Sequence, residues 1–192
     1  MDTTILSFLE TYFEVDKIPS SALQPLLNHI SVIEKNKGTL LIKQGYRHSY
    51  SYFILQGLAR VFYQKGDSEI NFWFGLENEP LGSMDTLKGN ASKVSIELLE
   101  PCRLIQFNIA SLQKELKDDP VTITLLRTVM EEYAIFLEER LFGLQGLSAN
   151  ERYKYLLQTE PSIFQRVSST YIASYLGMSR ETLSRLRSKS VL

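Results

Sequence analysis

The chain has 192 residues, a formal net charge of −1, 44% hydrophobic residues and 22% charged residues. This length suits one or two domains with a real core, and the composition excludes a disordered chain. One cysteine, Cys102, excludes a disulfide framework, and two histidines leave too few ligands for a metal site, so we predict none. No signal peptide and no run of 18 apolar residues is present, so we expect a cytoplasmic protein without a membrane partner.

The charge is divided unevenly along the chain. Residues 148–192 hold seven basic and three acidic residues, a formal charge of +4, whereas the remaining residues carry a formal charge of −5. A basic tail on an acidic body predicts that only the tail meets a polyanion such as a nucleic acid.

The first elements are predicted from hydrophobic periodicity. Residues 3–13 and 20–30 have apolar positions at helical spacing, and Ser20 or Ser21 is the expected cap of the second helix. The pattern then changes to short runs rich in β-forming residues, separated by glycines and polar turns. Seven or eight strands at this spacing predict a small antiparallel β-roll. The expected strands cover residues 31–35, 39–42, 51–56, 58–64, 69–75, 94–99 and 102–107.

A long helix is predicted after the strands. A short helix over 109–116 precedes it, and Pro120 stands at its start with Asp118 and Asp119 in position to cap it. About 25 residues without a break would span about 37 Å, more than one small roll can cover. We therefore interpret one apolar stripe as the seam of a two-stranded coiled-coil dimer. Packing of this amphipathic helix on its own domain is the open alternative. The predicted seam residues are Leu126, Val129, Tyr133, Phe136 and Arg140.

The most informative stretch covers residues 168–189, where two short helices flank a tight turn. Ala173 supplies the small residue that two crossing helices need, and Gly177 tolerates the positive φ of the turn. Leu183 and Leu186 anchor the second helix to the first. The spacing of Ala173, Gly177 and Leu183 is typical of a helix-turn-helix.

The outward face of the second helix carries charged and polar side chains. Arginine can pair bidentately with guanine and glutamate can accept from cytosine N4, so this face is predicted to read bases. The predicted base-reading residues are Arg180, Glu181, Ser184 and Arg185. Neighbouring groups are expected to contact phosphates, which position the domain: Ser169, Thr182, Arg187 and Lys189. An ordinary helical hairpin with a solvated basic face remains an alternative.

Residues 172–185, IASYLGMSRETLSR, resemble the helix-turn-helix of the cyclic-AMP receptor protein/fumarate-nitrate regulator (Crp/Fnr) family. The order of the predicted elements is similar to that family as well. The resemblance implies an α+β fold with a cyclic-nucleotide-binding-like β-roll and flanking helices at 1–118, a dimerisation helix at 119–146 and an all-α helix-turn-helix domain at 147–192.

The resemblance also implies a function. Family residues matching Arg180, Glu181 and Arg185 read bases in the major groove, and those matching Ser169, Ser179 and Thr182 lie near phosphates. It implies a homodimeric transcription regulator whose partners are double-stranded DNA, a second copy of the chain and, as a further candidate, RNA polymerase. Motifs for a nucleophile, a catalytic metal or a phosphate loop are absent from the sequence, so we expect no enzyme. A ligand-binding or protein-interaction roll with a non-functional DNA-binding domain is the alternative.

Two features depart from the family pattern. The sequence ends at Leu192, where members continue into a β-hairpin wing, so either the wing is absent or the chain continues. Nucleotide-binding members hold the ribose with a Gly-Glu segment and the phosphate with a later arginine. Here Ser83 replaces the glutamate, and the arginine position falls at Ser92 or Lys93, so we predict that cyclic AMP is not the effector and no cofactor is bound. The candidate pocket for another small-molecule effector is Gly82, Ser83, Met84, Ser92 and Lys93.

Overall fold

The computed structural model describes residues 3–12 and 19–190. Two helices come first, α1 over Thr3–Tyr12 and α2 over Ser20–Leu27. The expected capping serine is wrong, because Pro19 is the N-cap residue of α2 and makes no side-chain cap. The second helix is also shorter than expected, since Ile30 pairs with Phe107 and begins the first strand.

Eight antiparallel strands form two four-stranded sheets in the described residues, in the orders β1-β8-β3-β6 and β2-β7-β4-β5. The predicted α+β fold with an antiparallel roll is confirmed. The two-residue strand β6 was not predicted, because its two pairs with β3 leave no periodicity to detect. The strands are β1 Ile30–Lys35, β2 Leu40–Ile42, β3 Tyr50–Gln56, β4 Ala59–Lys65, β5 Ser68–Gly75, β6 Pro80–Leu81, β7 Ser95–Leu98 and β8 Cys102–Asn108.

One short helix, α3 at Met84–Leu87, follows β6. The other helices of the described residues that are not yet named all come after β8. The predicted cap of the long helix is present, and the structure shows a second cap after that helix. Asp119 accepts the backbone N–H of Thr122 at 2.8 Å, and Ser148 forms a capping box with Glu151. The helices are α4 Ile109–Glu115, α5 Pro120–Gly146, α6 Ala149–Thr159, α7 Ile163–Arg166, α8 Ser169–Tyr175 and α9 Arg180–Ser190.

Three groups of buried side chains form the core of the described part of the chain. The first lies where α1, α2, α4 and the start of α5 pack on one sheet, and the second fills the roll. The third joins the roll to the C-terminal helices, since Leu58, Phe74 and Leu76 of the roll pack with Ile172 and Leu183 of the helix-turn-helix. The predicted functional segments therefore lie on one continuously packed scaffold.

Candidate nucleic-acid interface and effector cavity

Helices α8 and α9 form the helix-turn-helix that the sequence predicted. The turn bends at Gly177, whose φ is +63°, and the N–H of Met178 donates to the carbonyl of Ala173 at 3.0 Å. Ala173 and Leu183 are both buried. Ser179 accepts the N–H of Thr182 at 3.1 Å, which caps the start of α9. The inner face of α9 is thereby fixed by packing and its first turn by a cap.

The predicted base-reading side chains share the outer face of α9. Arg180, Glu181, Ser184 and Arg185 are all exposed. Hydrogen bonds from the backbone N–H of Glu181 and from Ser179 lower the pKa of the Glu181 carboxyl. Glu181 is therefore ionised at neutral pH and only accepts hydrogen bonds, as a partner of cytosine N4 must.

The predicted phosphate contacts fall into two groups. Thr182 and Ser179 lie at the start of α9, where the Thr182 hydroxyl accepts from Arg185 at 3.3 Å. Ser169 begins α8 and accepts a hydrogen bond from Arg187 at 3.0 Å. The guanidinium of Arg187 also lies over the ring of Phe164, 5.2 Å from its centroid, so this side chain holds α9 against α7 and α8. The side chain of Lys189 lies outside the described part of the structure.

The outer surface of β5 carries α8. The N–H of Asn71 donates to the hydroxyl of Ser174 at 2.9 Å. The guanidinium of Arg60, which is buried and paired with Glu69 and Glu97, lies 4.0 Å from the ring centroid of Tyr171. The helix-turn-helix is thus docked on the roll by polar and cation–π contacts as well as by the shared core.

A second link between the two regions is an ion-pair cluster at α7. Arg166 donates to Glu77 in the β5–β6 loop at 2.7 and 2.9 Å, and to Glu100 before β8 at 2.7 and 3.0 Å. The guanidinium of Arg166 lowers the pKa of the Glu77 carboxyl to about 2. Sequence reasoning missed this cluster, because its members come from distant segments without a local motif.

The stripe that was predicted as a dimer seam meets the chain's own roll and C-terminal helices. Phe136 and Tyr133 pack on Trp73 of β5 at centroid distances of 5.0 and 6.3 Å. Arg140 donates to the carbonyl of Tyr175 and lies 3.9 Å from its ring centroid. The remaining two, Leu126 and Val129, line a cavity under the helix. For this stripe these contacts favour the alternative, packing of the helix on its own domain, and its role as a dimer seam stays a prediction.

A second apolar stripe on α5 is exposed at both of its ends among the described residues. Ile123, Leu141 and Leu144 expose 47%, 56% and 43% of their surface. The stripe follows a heptad pattern, which is the signal that could have found it in the sequence. Its seven-residue repeat is Ile123, Met130, Leu137 and Leu144, and the positions between them are Arg127, Ala134 and Leu141.

The predicted effector residues separate into two groups. Gly82, Ser83 and Met84 line the cavity between α5 and the roll, whereas Ser92 and Lys93 do not. Ser92 is buried with its hydroxyl oxygen 2.9 Å from that of Ser83. Gly82 is required here because a Cβ at that position would lie 2.8 Å from the Ser51 hydroxyl.

A carboxylate of the chain contacts the segment where the sequence places the family's arginine. Asp85 accepts the backbone N–H of Lys93 at 3.1 Å. Ser83 and Ser92 are neutral, so they supply neither a carboxylate for a ribose nor a guanidinium for a phosphate.

The two histidines of the sequence each have a partner within the chain. His29 lies 3.5 Å from Glu115, and His48 accepts the N–H of Lys43. No three side chains of the types that bind metals converge in the described ranges. Within the same ranges, no helix has both the length and the apolar character needed to cross a bilayer.

Known proteins share this fold. Residues 32–119 match the cyclic nucleotide-binding domain family. FixK2 from Bradyrhizobium japonicum is similar with a TM-score of 0.72 at 20% identity, over 83% of each chain. A Crp/Fnr-family transcriptional regulator from Eubacterium rectale has a TM-score of 0.72 at 17% identity, over 94% of this chain and 88% of its own.

A third similar structure is the c-di-GMP responsive global regulator CLP from Xanthomonas campestris. Its TM-score is 0.69 at 20% identity, over 89% of this chain and 91% of its own. No curated protein matches the sequence. At these identities the likeness shows a shared fold.

Proposed function

This chain carries a cyclic nucleotide-binding domain and has the fold of the Crp/Fnr transcription regulators, and on that premise we propose that it is a sequence-specific DNA-binding transcription regulator. The observation that carries the proposal is the exposed face of α9, where Arg180, Glu181, Ser184 and Arg185 project from a helix whose inner face is buried. A recognition helix needs this combination of a fixed inner face and free hydrogen-bonding groups outside.

Recognition rests on two classes of contact. The arginines of α9 are suited to guanine O6 and N7 in the major groove, and Glu181 is suited to cytosine N4. The hydroxyls of Ser169, Ser179 and Thr182 lie at the first turns of α8 and α9, where helix N-termini favour phosphates. The local charge of +4 adds affinity that falls with salt and does not depend on sequence.

The functional unit that we propose is a homodimer joined by the second apolar stripe of α5. Six of its seven heptad positions are apolar, and three of them expose more than two fifths of their surface. An exposed heptad seam on a helix of 27 residues fits a second copy of the same helix. Two recognition helices would then read half-sites about one helical turn, or 10–10.5 bp, apart.

We further propose that cyclic AMP is not the effector of this protein. The neutral Ser83 and Ser92, together with the carboxylate of Asp85, support this assignment. We propose that another ligand regulates the protein and that it has no catalytic activity. Its proposed location is the cytoplasm, where it would bind DNA. RNA polymerase is the partner that a DNA-bound regulator of this kind would meet.

Selection from a pool of random duplexes tests the proposed function. The wild-type chain is expected to enrich one roughly palindromic sequence, whereas Arg180→Ala with Arg185→Ala is expected to lose that enrichment. Arg47→Ala, which removes an exposed arginine of the roll, is the matched control and should enrich the same sequence. If the wild-type protein enriches no sequence, the alternative is favoured. In that alternative the roll binds a ligand or another protein, and the C-terminal domain does not bind DNA.

A further inference from the structure

The cavity between α5 and the roll is almost entirely apolar. Its volume is about 90 Å³. The aromatic floor is well ordered by packing, since the rings of Phe8 and Phe53 lie edge to face with centroids 4.6 Å apart. The main walls are Phe8, Phe53, Phe107, Leu125, Leu126 and Val129. Apolar walls of this kind gain free energy when an apolar group covers them.

A buried polar side chain forms part of the cavity wall. Thr122 is 1% exposed and lines the cavity, and its hydroxyl has no hydrogen-bond partner among the described residues. A buried hydroxyl without a partner costs free energy that a ligand's polar group would recover. This orphaned hydroxyl is an observation independent of the cavity's apolar walls, and it points to a ligand with one hydrogen-bonding group.

The charge of the lining restricts the ligand further. Within the part of the chain that the structure describes, no lysine, arginine or histidine lines the cavity. An ionised ligand would therefore lose its hydration without gaining a counter-charge. Burial and the nearby negative charge of Asp85 raise the pKa of Tyr133 at the cavity wall. This environment selects an uncharged ligand.

We propose that the cavity binds a slender, uncharged alkyl molecule that ends in one hydroxyl or carbonyl group, with Thr122 as the partner of that group. The volume of about 90 Å³ limits the part of such a molecule that the cavity can enclose. Met84, 39% exposed, stands at the cavity wall, where a longer chain could leave the protein.

The position of the cavity suits an effector, and this role rests on the proposed DNA-binding function. Trp73 lines the cavity and packs on Phe136 of α5. The same strand, β5, holds α8 through the Asn71–Ser174 hydrogen bond. A ligand would thus contact the strand that positions the helix-turn-helix.

Trp73 provides the readout, because it is the only tryptophan of the chain and lies at the site. The test titrates the full chain without DNA and follows Trp73 fluorescence. The probes are 1-hexanol, its ionised counterpart hexanoate, 1-chlorohexane as a chain without a hydroxyl, and cyclic AMP. We expect a saturable response to 1-hexanol and at least tenfold weaker responses to hexanoate and cyclic AMP.

Two variants assign the response to the cavity. Thr122→Val keeps the shape but removes the hydroxyl, so affinity for 1-hexanol should fall about two- to tenfold while affinity for 1-chlorohexane stays the same. Val129→Phe should fill the cavity and abolish both responses. Ile135→Phe makes a similar change of size at a side chain that is 58% exposed on the same helix, and it should respond like the wild type.

Three results would overturn the proposal: no saturable response to 1-hexanol, equal binding of hexanoate, or a Val129→Phe variant that binds like the wild type. If Val129→Phe does not fold, the affinities of Thr122→Val for 1-hexanol and for 1-chlorohexane decide the question. That variant keeps its packing, so it is expected to fold. Operator binding is measured separately by anisotropy. A failure of the ligand proposal therefore leaves the DNA result intact, and a failure of DNA binding leaves the titration intact.

Discussion

Arg166 and Glu77 form two hydrogen bonds of 2.7 and 2.9 Å although 89 residues separate them in the chain. The pair joins the short helix α7 to the loop that leaves β5, and Glu100 extends it on the other side of the guanidinium. Bidentate arginine–carboxylate pairs fix an orientation as well as a distance. The cluster therefore sets how the C-terminal helices sit on the roll.

Replacing Arg166 by alanine should destabilise the chain by about 1–3 kcal/mol, because it leaves Glu77 and Glu100 close together without their shared cation. Chemical denaturation at pH 7 measures the loss. Lys117→Ala is the matched control: it removes an ion pair with Asp118 in which both side chains are largely exposed, so it should cost at most about 1 kcal/mol. Equal effects of the two substitutions would show that the cluster contributes nothing special.

The same cluster predicts how stability depends on pH. The pKa of Glu77 is lowered to about 2 in the folded chain from an ordinary 4.5, so its stabilisation is fully present above pH 4.5 and is lost as pH falls toward 2. Glu77→Gln should flatten the acid limb of the stability curve in that window and leave no change in slope between pH 6 and 8. Melting temperatures across pH 2–8 measure this, and identical acid limbs would contradict the assignment.

Dimerisation should depend on the second apolar stripe of α5. Ala134→Glu with Leu141→Glu places like charges across the proposed seam, so the chain should sediment as a monomer at micromolar concentration. Ile135→Glu introduces a charge at an exposed position of the same helix outside the heptad pattern and should remain dimeric. A wild-type chain that is already monomeric, or a double variant that is still dimeric, would contradict this seam.

Base reading and phosphate contact should differ in their dependence on DNA sequence. Arg185→Ala should cost about 1–3 kcal/mol on the selected site and relax the preference at one base pair. Lys189→Ala should weaken all duplexes about equally and reduce the slope of log affinity against log salt by about one unit. Anisotropy on the selected and on a scrambled duplex at several salt concentrations separates the two. An equal loss on both duplexes for Arg185→Ala would remove its base-reading role.

Gly57 is expected to tolerate no side chain. Its φ is +104°, and an added Cβ would lie 2.5 Å from the sulfur of Cys102 and 2.7 Å from the carbonyl of Pro101. Gly57→Ala should lower the free energy of unfolding by about 1–3 kcal/mol or more. Gly38→Ala, with φ +81° but nothing within 4 Å, measures the backbone strain alone. The difference between the two is the cost of the contact, and a difference of zero would show that the turn can shift.

Local chemistry made much of the chain predictable from its sequence. The cap at Asp119 and the turn at Gly177 depend on residues within a few positions of one another, and the structure has them where expected. The end of α2 was misplaced because Ile30 satisfies a helical period but gains more by pairing with Phe107 in the sheet.

Contacts between residues that are far apart in the sequence could not be predicted in the same way. The long helix carries two apolar stripes, and periodicity gives the stripes without naming what each one meets. Trp73, which covers Phe136, lies 63 positions earlier in the chain. For the same reason the sequence could not show that Gly82, Ser83 and Met84 line the cavity while Ser92 and Lys93 do not. One wall of that cavity is formed by α5, which is distant in the sequence.

The core shared by Leu58, Phe74 and Leu76 with the C-terminal helices has a consequence for how this protein can change over time. A helix-turn-helix whose core is completed by side chains of the roll cannot be exchanged between proteins as an independent domain. Substitutions on either side of that boundary must be accommodated by the other. We therefore expect the roll and the C-terminal helices to unfold in one cooperative transition. We also expect them to have evolved together, with new specificity arising from substitutions on the outer face of α9.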